Sequence, residues 1–544
     1  MFQHRLFYAF CLSGLFAIGF PGSAAATDFY VDAVQGSPSG DGSRDHPWQS
    51  IQDVIDVGLI RTQTWEHLPY EEGDRLVVIH PDAPVQPGDT IYLRDGYYGD
   101  LLIQSLYNEG DITIAAQPGH HPRLRTIYVQ GGGHWVFRGL TISPSFEEPL
   151  SKTTIVFFEN HGFQGPAQDI LLEDCHLMSV EDSSGWSAQD WNDYASNGVR
   201  ADGDRITIKG CHLLNVDFGI TLSGEYSVAQ DNVIENFSGD GMRGLGNYER
   251  FEHNVVKNCY DVNDNHDDGF QSWSVGPDGV GTGEVVGVEL LGNVIINFED
   301  PQQPFRGTLQ GIGCFGGMYV DWVVENNVII VDHYHGISFY GAVGCRIVNN
   351  TVFDPTPESP GPAWIMIHDH KDGTPSSDCI VRNNLAVQFV GMDSPGVTSD
   401  HNLIIDDPLT LFVDPTGYDF HLLPTAQAID EGSPEDAPAE DIEGVSRPQG
   451  QAWDIGAYEY HEGEPVFPDA GLDGGGRDAG GDVDALDQDG ASSGSGSKSS
   501  GCGCVAAGRA PFPLPIVWFS AFVVWFRLKQ RRIRSKKDSE KPGP

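Results

Sequence analysis

The chain has 544 residues, of which 67 are glycine, and its formal net charge at pH 7 is −47. So acidic a surface repels phosphate backbones, which excludes nucleic acid as a partner. The same charge keeps an exported protein soluble, and it either faces solvent or holds divalent cations.

The first 26 residues have the features of a secretory signal peptide. Arg5 precedes an apolar run over 6–20, and the small residues 23–26 follow that run. This order of basic, apolar and small residues is typical of a cleaved export signal. We therefore predict secretion, with cleavage near Ala26.

Residues 27–89 are predicted to form an N-terminal segment that carries one short helix. Apolar residues recur at helical spacing at Ile51, Val54, Ile55 and Leu59. A helix over 51–60 would cover the open end of the first coil of a β-solenoid. Residues 61–86 are expected to make a surface excursion.

An asparagine followed by two small or apolar residues recurs over the predicted coil region, residues 90–411. The spacings are 22, 39, 34, 23, 34 and 18 residues, which is typical of a solenoid with inserted loops. Short β-branched runs between these asparagines predict stacked parallel strands. We expect the asparagines to form a hydrogen-bonded ladder, each with a left-handed backbone at its corner. The ladder residues are Asn232, Asn254, Asn293, Asn327, Asn350, Asn384 and Asn402.

The ladder continues towards the N-terminus through Cys211, Cys175 and Leu140. With this extension the sequence resembles the right-handed parallel β-helix proteins, a superfamily that includes many pectate-lyase-like enzymes. The stretches 419–423, 428–432 and 454–459 are similar to the end of the choice-of-anchor Q family. The resemblance covers about residues 28–460. It implies an all-β, right-handed parallel β-helix with a closing segment at 412–460, but one fold hosts many activities.

Six cysteines lie within the predicted coils. Cys175 and Cys211 occupy equivalent positions in neighbouring coils, and so do Cys345 and Cys379. Strands about 4.8 Å apart place such pairs close to disulfide range. Stacked buried thiols are the favoured interpretation, and disulfide bridges, which export would permit, are the alternative.

The composition changes after Tyr460. Residues 461–501 are rich in Gly, Asp and Ser and are predicted to be a disordered linker. Cys502 and Cys504, an apolar run over 512–526 and an arginine-rich end follow in 502–544. This order resembles the MYXO-CTERM sorting signal, which implies a short membrane segment, processing at the cysteines by sorting machinery, and display at the cell surface. A permanent membrane anchor is the alternative.

Candidate site residues emerge when strands that begin with Gly and an apolar residue are aligned. Strand alternation then places Arg200, Thr221, Arg243 and Gln271 in one outward column. A second outward column is predicted to be a platform for sugar rings, with Arg200, Gln271 and His368 as further substrate-binding residues. Its aromatic members are Trp273, Phe315 and Tyr340. The alternative is that inserted loops bury these aromatics as a satellite core.

The densest acidic cluster includes Asp240, Asp267 and Asp268. Neighbouring carboxylates either share a proton or bind a hard cation. By resemblance to calcium-dependent pectate lyases, the three aspartates would hold calcium while Arg243 acts as the base of a β-elimination. An Asp-rich turn that satisfies its own backbone is an equal alternative.

A second catalytic candidate is His335, in the segment 332–338. That segment is similar to a histidine element of polygalacturonases, which implies hydrolysis with paired carboxylates. We rank hydrolysis below β-elimination because the leading Gly of that element is absent and the other acidic motifs lack the expected order.

The sequence thus predicts a monomeric, surface-displayed β-helix that binds extracellular polysaccharide and cleaves uronate-containing glycan by calcium-assisted β-elimination. The alternatives are a non-catalytic adhesin or structural surface protein, and a polygalacturonase-like hydrolase.

Overall fold

The structure is a computed structural model that describes residues 26–300, 302–356 and 360–462. These residues form a right-handed parallel β-helix, which confirms the predicted fold class. The signal peptide, the linker, the membrane segment, Cys502 and Cys504 lie outside the described residues and stay predictions. In the part of the chain that is described, no helix has the length and apolarity needed to cross a bilayer.

Each coil contributes up to three strands, which stack on those of the next coil as a front, a side and a back stack. The front stack contains the N-terminal halves of Asp100–Ala116 and Thr126–Arg138, then Thr154–Glu159, Asn197–Ala201, Ile220–Leu222, Met242–Gly244, Asp268–Trp273, Gln310–Gly316, His335–Tyr340, Trp364–His368 and Gln388–Val390. The side stack contains the C-terminal halves of the same two long strands, with Asp28–Val31, Thr90–Leu93, Ala167–Glu173, Asp204–Lys209, Val228–Gln230, Arg250–Glu252, Glu289–Leu291, Val323–Glu325, Arg346–Val348, Cys379–Arg382 and Val397–Asp400.

The back stack is the third face of the coils. It contains Gly96–Tyr97, Pro122–Leu124, Thr141–Ile142, His176–Met178, His212–Val216, Val233–Phe237, Val255–Cys259, Val294–Ile296, Val328–Ile330, Thr351–Phe353, Leu385–Ala386 and Leu403–Ile404. Smaller pairings are the hairpins Thr62–Trp65 with Leu76–Ile79, Val275–Gly276 with Gly279–Val280 and Phe412–Asp414 with Asp419–Leu422, and a short stack of Glu284–Val286, Met318–Val320 and Ala342–Val343.

The described residues also form two short α-helices. The first, Ile51–Asp56, is capped by Ser50 and buries Ile51, Val54 and Ile55, so the predicted capping helix is present but ends four residues early. Gly58, whose φ is +75°, lies two residues beyond its end. The second, Ala188–Tyr194, lies between the strands His176–Met178 and Asn197–Ala201 and has a capping box between Ser187 and Asp190. Single 3₁₀ turns lie at Pro144–Phe146 and Pro408–Thr410.

The asparagine ladder is present. The Nδ2 of each ladder residue donates to the Oδ1 of the next, over 2.9 to 3.0 Å, from Asn232 through to Asn402. The predicted backbone conformation was wrong, because the left-handed residue is the one before each ladder asparagine. Asp231, His253 and Asn326, for example, have φ of 57°, 52° and 56°. This leaves the ladder side chain pointing inward, where it also bonds carbonyl groups of neighbouring coils.

Repeated glycines at the start of the front strands have a steric cause. A Cβ on Gly241 would lie 2.3 Å from Val256 Cγ1, and one on Gly269 would lie 2.4 Å from Ile295 Cγ2. Both contacts are too short for real side chains, so the corner accepts only glycine while the back strand fills the core behind it. All six cysteines of the coils are free and buried, which confirms stacked thiols over disulfides.

The closing segment packs on the outer face of the back stack. Phe412, Phe420, Leu422 and Ile455 cover outward apolar residues of the coils, among them Val328. The left-handed asparagines anchor the same segment: Asn326 donates to the carbonyl of Glu440, Asn349 to those of Asp454 and Gly456, and Asn383 to that of Ser433. In each Asn-Asn doublet the first residue therefore holds the closing segment and the second builds the ladder.

Candidate functional site

The first outward column of the front stack was predicted in the correct register. Its residues pair in the order Arg200, Thr221, Arg243, Gln271, Gly313, Ser338 and Met366. The second column was wrong at its centre: a bulge after Ser272 pairs Trp273 with Gly316 and not with Phe315. The bulge separates Trp273 from the other two aromatic residues of the predicted platform.

Arg243 is a fixed cation at the centre of this column. Its Nε donates to Asp240 Oδ2 over 2.6 Å, and its guanidinium carbon lies 3.7 Å from the centroid of Phe218 and 5.4 Å from that of Trp273. The side chain is 20% exposed. A guanidinium keeps its charge in proteins, and this one is held by a carboxylate and two rings, so the arrangement favours binding an anion over removing a proton.

Beside Arg243, a buried carboxylate orients an exposed histidine. His266 Nδ1 lies 3.0 Å from Asp268 Oδ2, and Gln271 Nε2 donates to the same oxygen over 2.8 Å. Asp268 is fully buried, whereas the side chain of His266 is 63% exposed. An ionised Asp268 would keep the proton of the neutral ring on Nδ1, which leaves Nε2 as the unprotonated nitrogen. Because Gln271 pairs with Arg243, this histidine and the fixed cation lie on adjacent rungs.

The charge state of this pair follows from burial and hydrogen bonding. Burial raises the pKa of Asp268 to about 7, against the hydrogen bonds from His266 and Gln271 that lower it. The hydrogen bond to Asp268 raises the pKa of His266 above its ordinary value of 6.5. Burial also raises the pKa of Asp240, although Arg243 opposes that shift. The cluster thus keeps a proton near neutral pH and loses it under alkaline conditions.

The predicted calcium ligands do not form a calcium site. Asp240 Oδ2 is taken by Arg243 and its Oδ1 accepts from the amide of Asp268. Asp267 faces a different environment, bonded to Asn265 and Cys259, and burial raises its pKa to about 8. Calcium needs several charged oxygens converging on one point. Here two carboxylates already have cationic or amide partners and the third is a buried, protonated group beside a thiol, so the residues do not fit the ion.

Only one group in the described part of the chain brings three possible metal-ligating atoms together. It consists of Glu66, His67 and Asp74 on the hairpin of the N-terminal segment. Glu66 is paired with Arg75 there, over 2.9 Å. The group is remote in sequence from the front-stack column.

Aromatic rings continue the column towards the C-terminus. The ring centroid of Phe315 lies 4.7 Å from that of His335 and 5.9 Å from that of Tyr340, and Lys371 Nζ lies 5.8 Å from the Phe315 centroid. Phe315 and Tyr340 are half-buried. His368, exposed, lies 5.5 Å from Tyr340 by ring centroids. Two members of the predicted platform therefore meet, with a cation and two histidines at their edges.

His335 is a neutral, packed histidine. Its Nδ1 lies 2.8 Å from Ser338 Oγ, and that hydroxyl also accepts from Trp364 Nε1. Burial lowers the pKa of His335 to about 3 and that of His333 to about 4. A ring that stays neutral and donates or accepts one hydrogen bond suits contact with sugar hydroxyls better than proton transfer near neutral pH.

Arg200 is placed apart from the His266 cluster. It lies two rungs from Arg243, forms a bidentate pair with Asp202 at 2.8 and 2.9 Å, and covers the Phe157 ring at 4.8 Å. The column thus continues towards the N-terminus through Arg200 and Phe157.

His266, Phe218 and Lys371 were given no role by sequence reasoning. His266 stands two residues before the front strand Asp268–Trp273, at the end of a loop without periodicity. The inserted segment that contains the helix Ala188–Tyr194 braces this loop: Trp191 stacks on Tyr260 with centroids 4.5 Å apart, and Asn192 Nδ2 donates to the carbonyl of Val262. The sequence signal that could have identified His266 is its position two residues before Asp268, the buried aspartate that begins this strand.

Comparison with known proteins supports the fold. Residues 197–404 match the family described as right handed beta helix region. No curated protein sequence matches the chain. The pectate lyase Pel9A is 15% identical, with a TM-score of 0.39, over 80% of this chain and 97% of that chain. The complex of XylC with xylose is 10% identical, with a TM-score of 0.48, over 79% and 98%.

A third solved structure is the A-module of the mannuronan C-5 epimerase AlgE6 from Azotobacter vinelandii. It is 15% identical, with a TM-score of 0.32, over 58% of this chain and 90% of that chain. At these identities and TM-scores, the three similarities carry no argument about activity.

Proposed function

We propose that the chain binds a uronate-containing polysaccharide along the front stack and cleaves it by β-elimination. The observation that carries the proposal is the juxtaposition of the oriented His266–Asp268 pair and the fixed Arg243 guanidinium on adjacent rungs. A base in a single tautomer next to a permanent cation is the pair of groups that this reaction needs.

The proposed reaction assigns each group one task. Arg243 attracts the uronate carboxylate and stabilises the negative charge that develops on it. Neutral His266 removes the C5 proton through Nε2. The electron pair of that C–H bond forms the C4=C5 double bond, the C4–O4 bond breaks, and O4 takes a proton from water. Asp268 stabilises the imidazolium that results. The imidazolium then gives its proton to the hydroxide that remains, which restores neutral His266.

These roles differ from those predicted from sequence. Arg243 becomes the binding cation and His266 the base, while Phe315, Tyr340 and His335 contact neutral sugar faces and hydroxyls. No step is assigned to calcium, because the three aspartates have other partners. Display at the cell surface and anchoring through 502–544 remain part of the proposal, and protease shaving of intact cells would test them.

The test is incubation with pectate, alginate and glycosaminoglycans while the ultraviolet absorbance of unsaturated uronates is followed. We expect a rise in absorbance with at least one of these polymers, faster at alkaline pH because His266 must be neutral. No absorbance gain with any polymer would contradict β-elimination. Release of reducing sugar without absorbance would indicate hydrolysis instead, and retarded migration in an affinity gel without any product would indicate an adhesin.

A further inference from the structure

A cavity lies at the N-terminal end of the same front stack. Its volume is about 230 Å³, and it opens between the first two front strands and the loop that follows Pro144–Phe146. The lining includes Leu102, Thr126, Tyr128, Lys152 and Thr153. Leu102 pairs with Tyr128, and both belong to the outward column that continues through Phe157 and Arg200 to Arg243.

The walls of this cavity are apolar on one side and polar on the other. Leu102, 36% exposed, and the ring of Tyr128 form the apolar side. On the polar side Arg125 Nε donates to Asp100 Oδ1 over 2.8 Å, Thr126 Oγ1 donates to the same oxygen, and the Tyr128 hydroxyl lies 2.8 Å from Thr153 Oγ1. A pyranose ring has the matching character, with apolar C–H faces and a rim of hydroxyls.

The cavity has more acidic than basic groups. Arg125 is paired with Asp100 and approaches Glu147, and Lys152 Nζ lies 2.6 Å from Asp217 Oδ2. Two cations thus face three carboxylates, so the cavity offers no net positive charge to select a uronate. The cavity suits an uncharged hexose or a sugar ring whose carboxylate points away.

The cavity lies on the same outward column as the proposed reaction site. Lys152 bonds Asp217, and the next residue, Phe218, packs against the Arg243 guanidinium. Four rungs separate Tyr128 from Arg243, through Phe157, Arg200 and Thr221. At about 4.8 Å per rung the separation is about 19 Å, which only an oligosaccharide can span.

We propose that this cavity is a second sugar-binding site, which takes a non-reacting pyranose ring of the same polysaccharide chain about four rungs from Arg243. This inference rests on the proposed function. It predicts that the protein binds long oligosaccharides more tightly than short ones, because only a long chain occupies both sites.

The experiment measures dissociation constants by calorimetry for size-fractionated oligomers of pectate and alginate, from dimers to octamers. We expect wild-type protein to bind octamers at least about tenfold more tightly than dimers, and Tyr128→Ala to remove that advantage without changing dimer affinity. Lys152→Ala should weaken octamer binding in the same direction. The matched controls are Tyr226→Ala, another tyrosine with an exposed ring, and Lys209→Ala on the side stack.

Two outcomes would overturn the inference: an octamer affinity that Tyr128→Ala leaves unchanged, or the absence of any length dependence in wild-type protein. If, in either case, Arg243→Ala abolishes dimer binding, the proposed reaction site is supported and only the second sugar-binding site is rejected. If Arg243→Ala has no effect while Tyr128→Ala weakens octamer binding, the proposed function fails and the cavity stands.

Discussion

The same coils build the front and back stacks, yet the outer face of the front stack is open whereas the closing segment covers part of the outer face of the back stack. On the front stack the outward column carries Arg200, Thr221, Arg243 and Gln271, all partly exposed or exposed. On the back stack the strands Val294–Ile296 and Val328–Ile330 are apolar on both faces, and the closing segment buries the outer one. A strand without polar alternation therefore marks a covered face, whereas polar and aromatic residues mark an open one.

The largest expected effect is a loss of stability when an ion pair is broken in the closing segment, which covers the back stack. Arg447 and Glu459 are a fully buried ion pair, 2.9 Å apart, within the closing segment, and Arg447 also reaches Asn326 of the back face. Arg447→Met leaves the Glu459 carboxylate buried without its partner, and we expect unfolding free energy to fall by about 3–5 kcal/mol. Urea denaturation measures this. Arg75→Met, at an exposed pair with Glu66, is the control, and an equal loss there would contradict the comparison.

The second largest expected effect is a loss of turnover after a substitution on the exposed front stack. His266→Gln removes the proposed base but can still bond Asp268, so we expect turnover to fall at least about 100-fold while the unfolding midpoint stays unchanged. The absorbance assay and thermal denaturation measure the two quantities. His120→Gln is the control, because its Nδ1 also lies 3.0 Å from a carboxylate, that of the exposed Asp95. Full activity in His266→Gln would remove the histidine from the reaction.

A smaller effect concerns the inner side of the front stack. The native pKa of Asp267 is raised from 3.8 to about 8, so the folded state holds this proton more tightly and stability falls as pH rises from about 4 to about 8. Asp267→Asn cannot ionise, and we expect it to stabilise the protein by about 1–2 kcal/mol at pH 8 and hardly at pH 4. Urea denaturation at both pH values tests this. A gain of the same size at both would show that ionisation is not the cause.

The smallest expected effect is that of calcium removal. Because Asp240 and Asp268 are already bonded to Arg243, His266 and Gln271, we expect a chelator to change turnover by less than about twofold. The absorbance assay with and without EDTA, followed by excess calcium, measures this. If EDTA abolishes activity and added calcium restores it, the calcium requirement predicted from the sequence is correct.

Much of the fold could be read from the sequence. The Asn-Val-Ile repeats placed the ladder, and the Gly-apolar starts placed the outward column from Arg200 to Met366 in its observed register. The bulge could not be read from the sequence, because its extra residue, Phe315, lies at the end of the strand Gln310–Gly316, where too few residues follow to reveal a shift in alternation. The docking role of Asn326, Asn349 and Asn383 was also hidden, since the doublets looked like part of the ladder.

The solenoid and the order of its rungs follow from the sequence, because inward residues must repeat in every coil for the strands to stack. Which outward groups lie close together depends on the tertiary structure. The loop that carries His266 has no period, and the insertion that braces it, through Trp191 and Asn192, is about 70 residues away in the chain. Likewise, only the tertiary structure shows that Asp240, Phe218 and Trp273 surround Arg243, and Phe218 and Trp273 come from neighbouring coils.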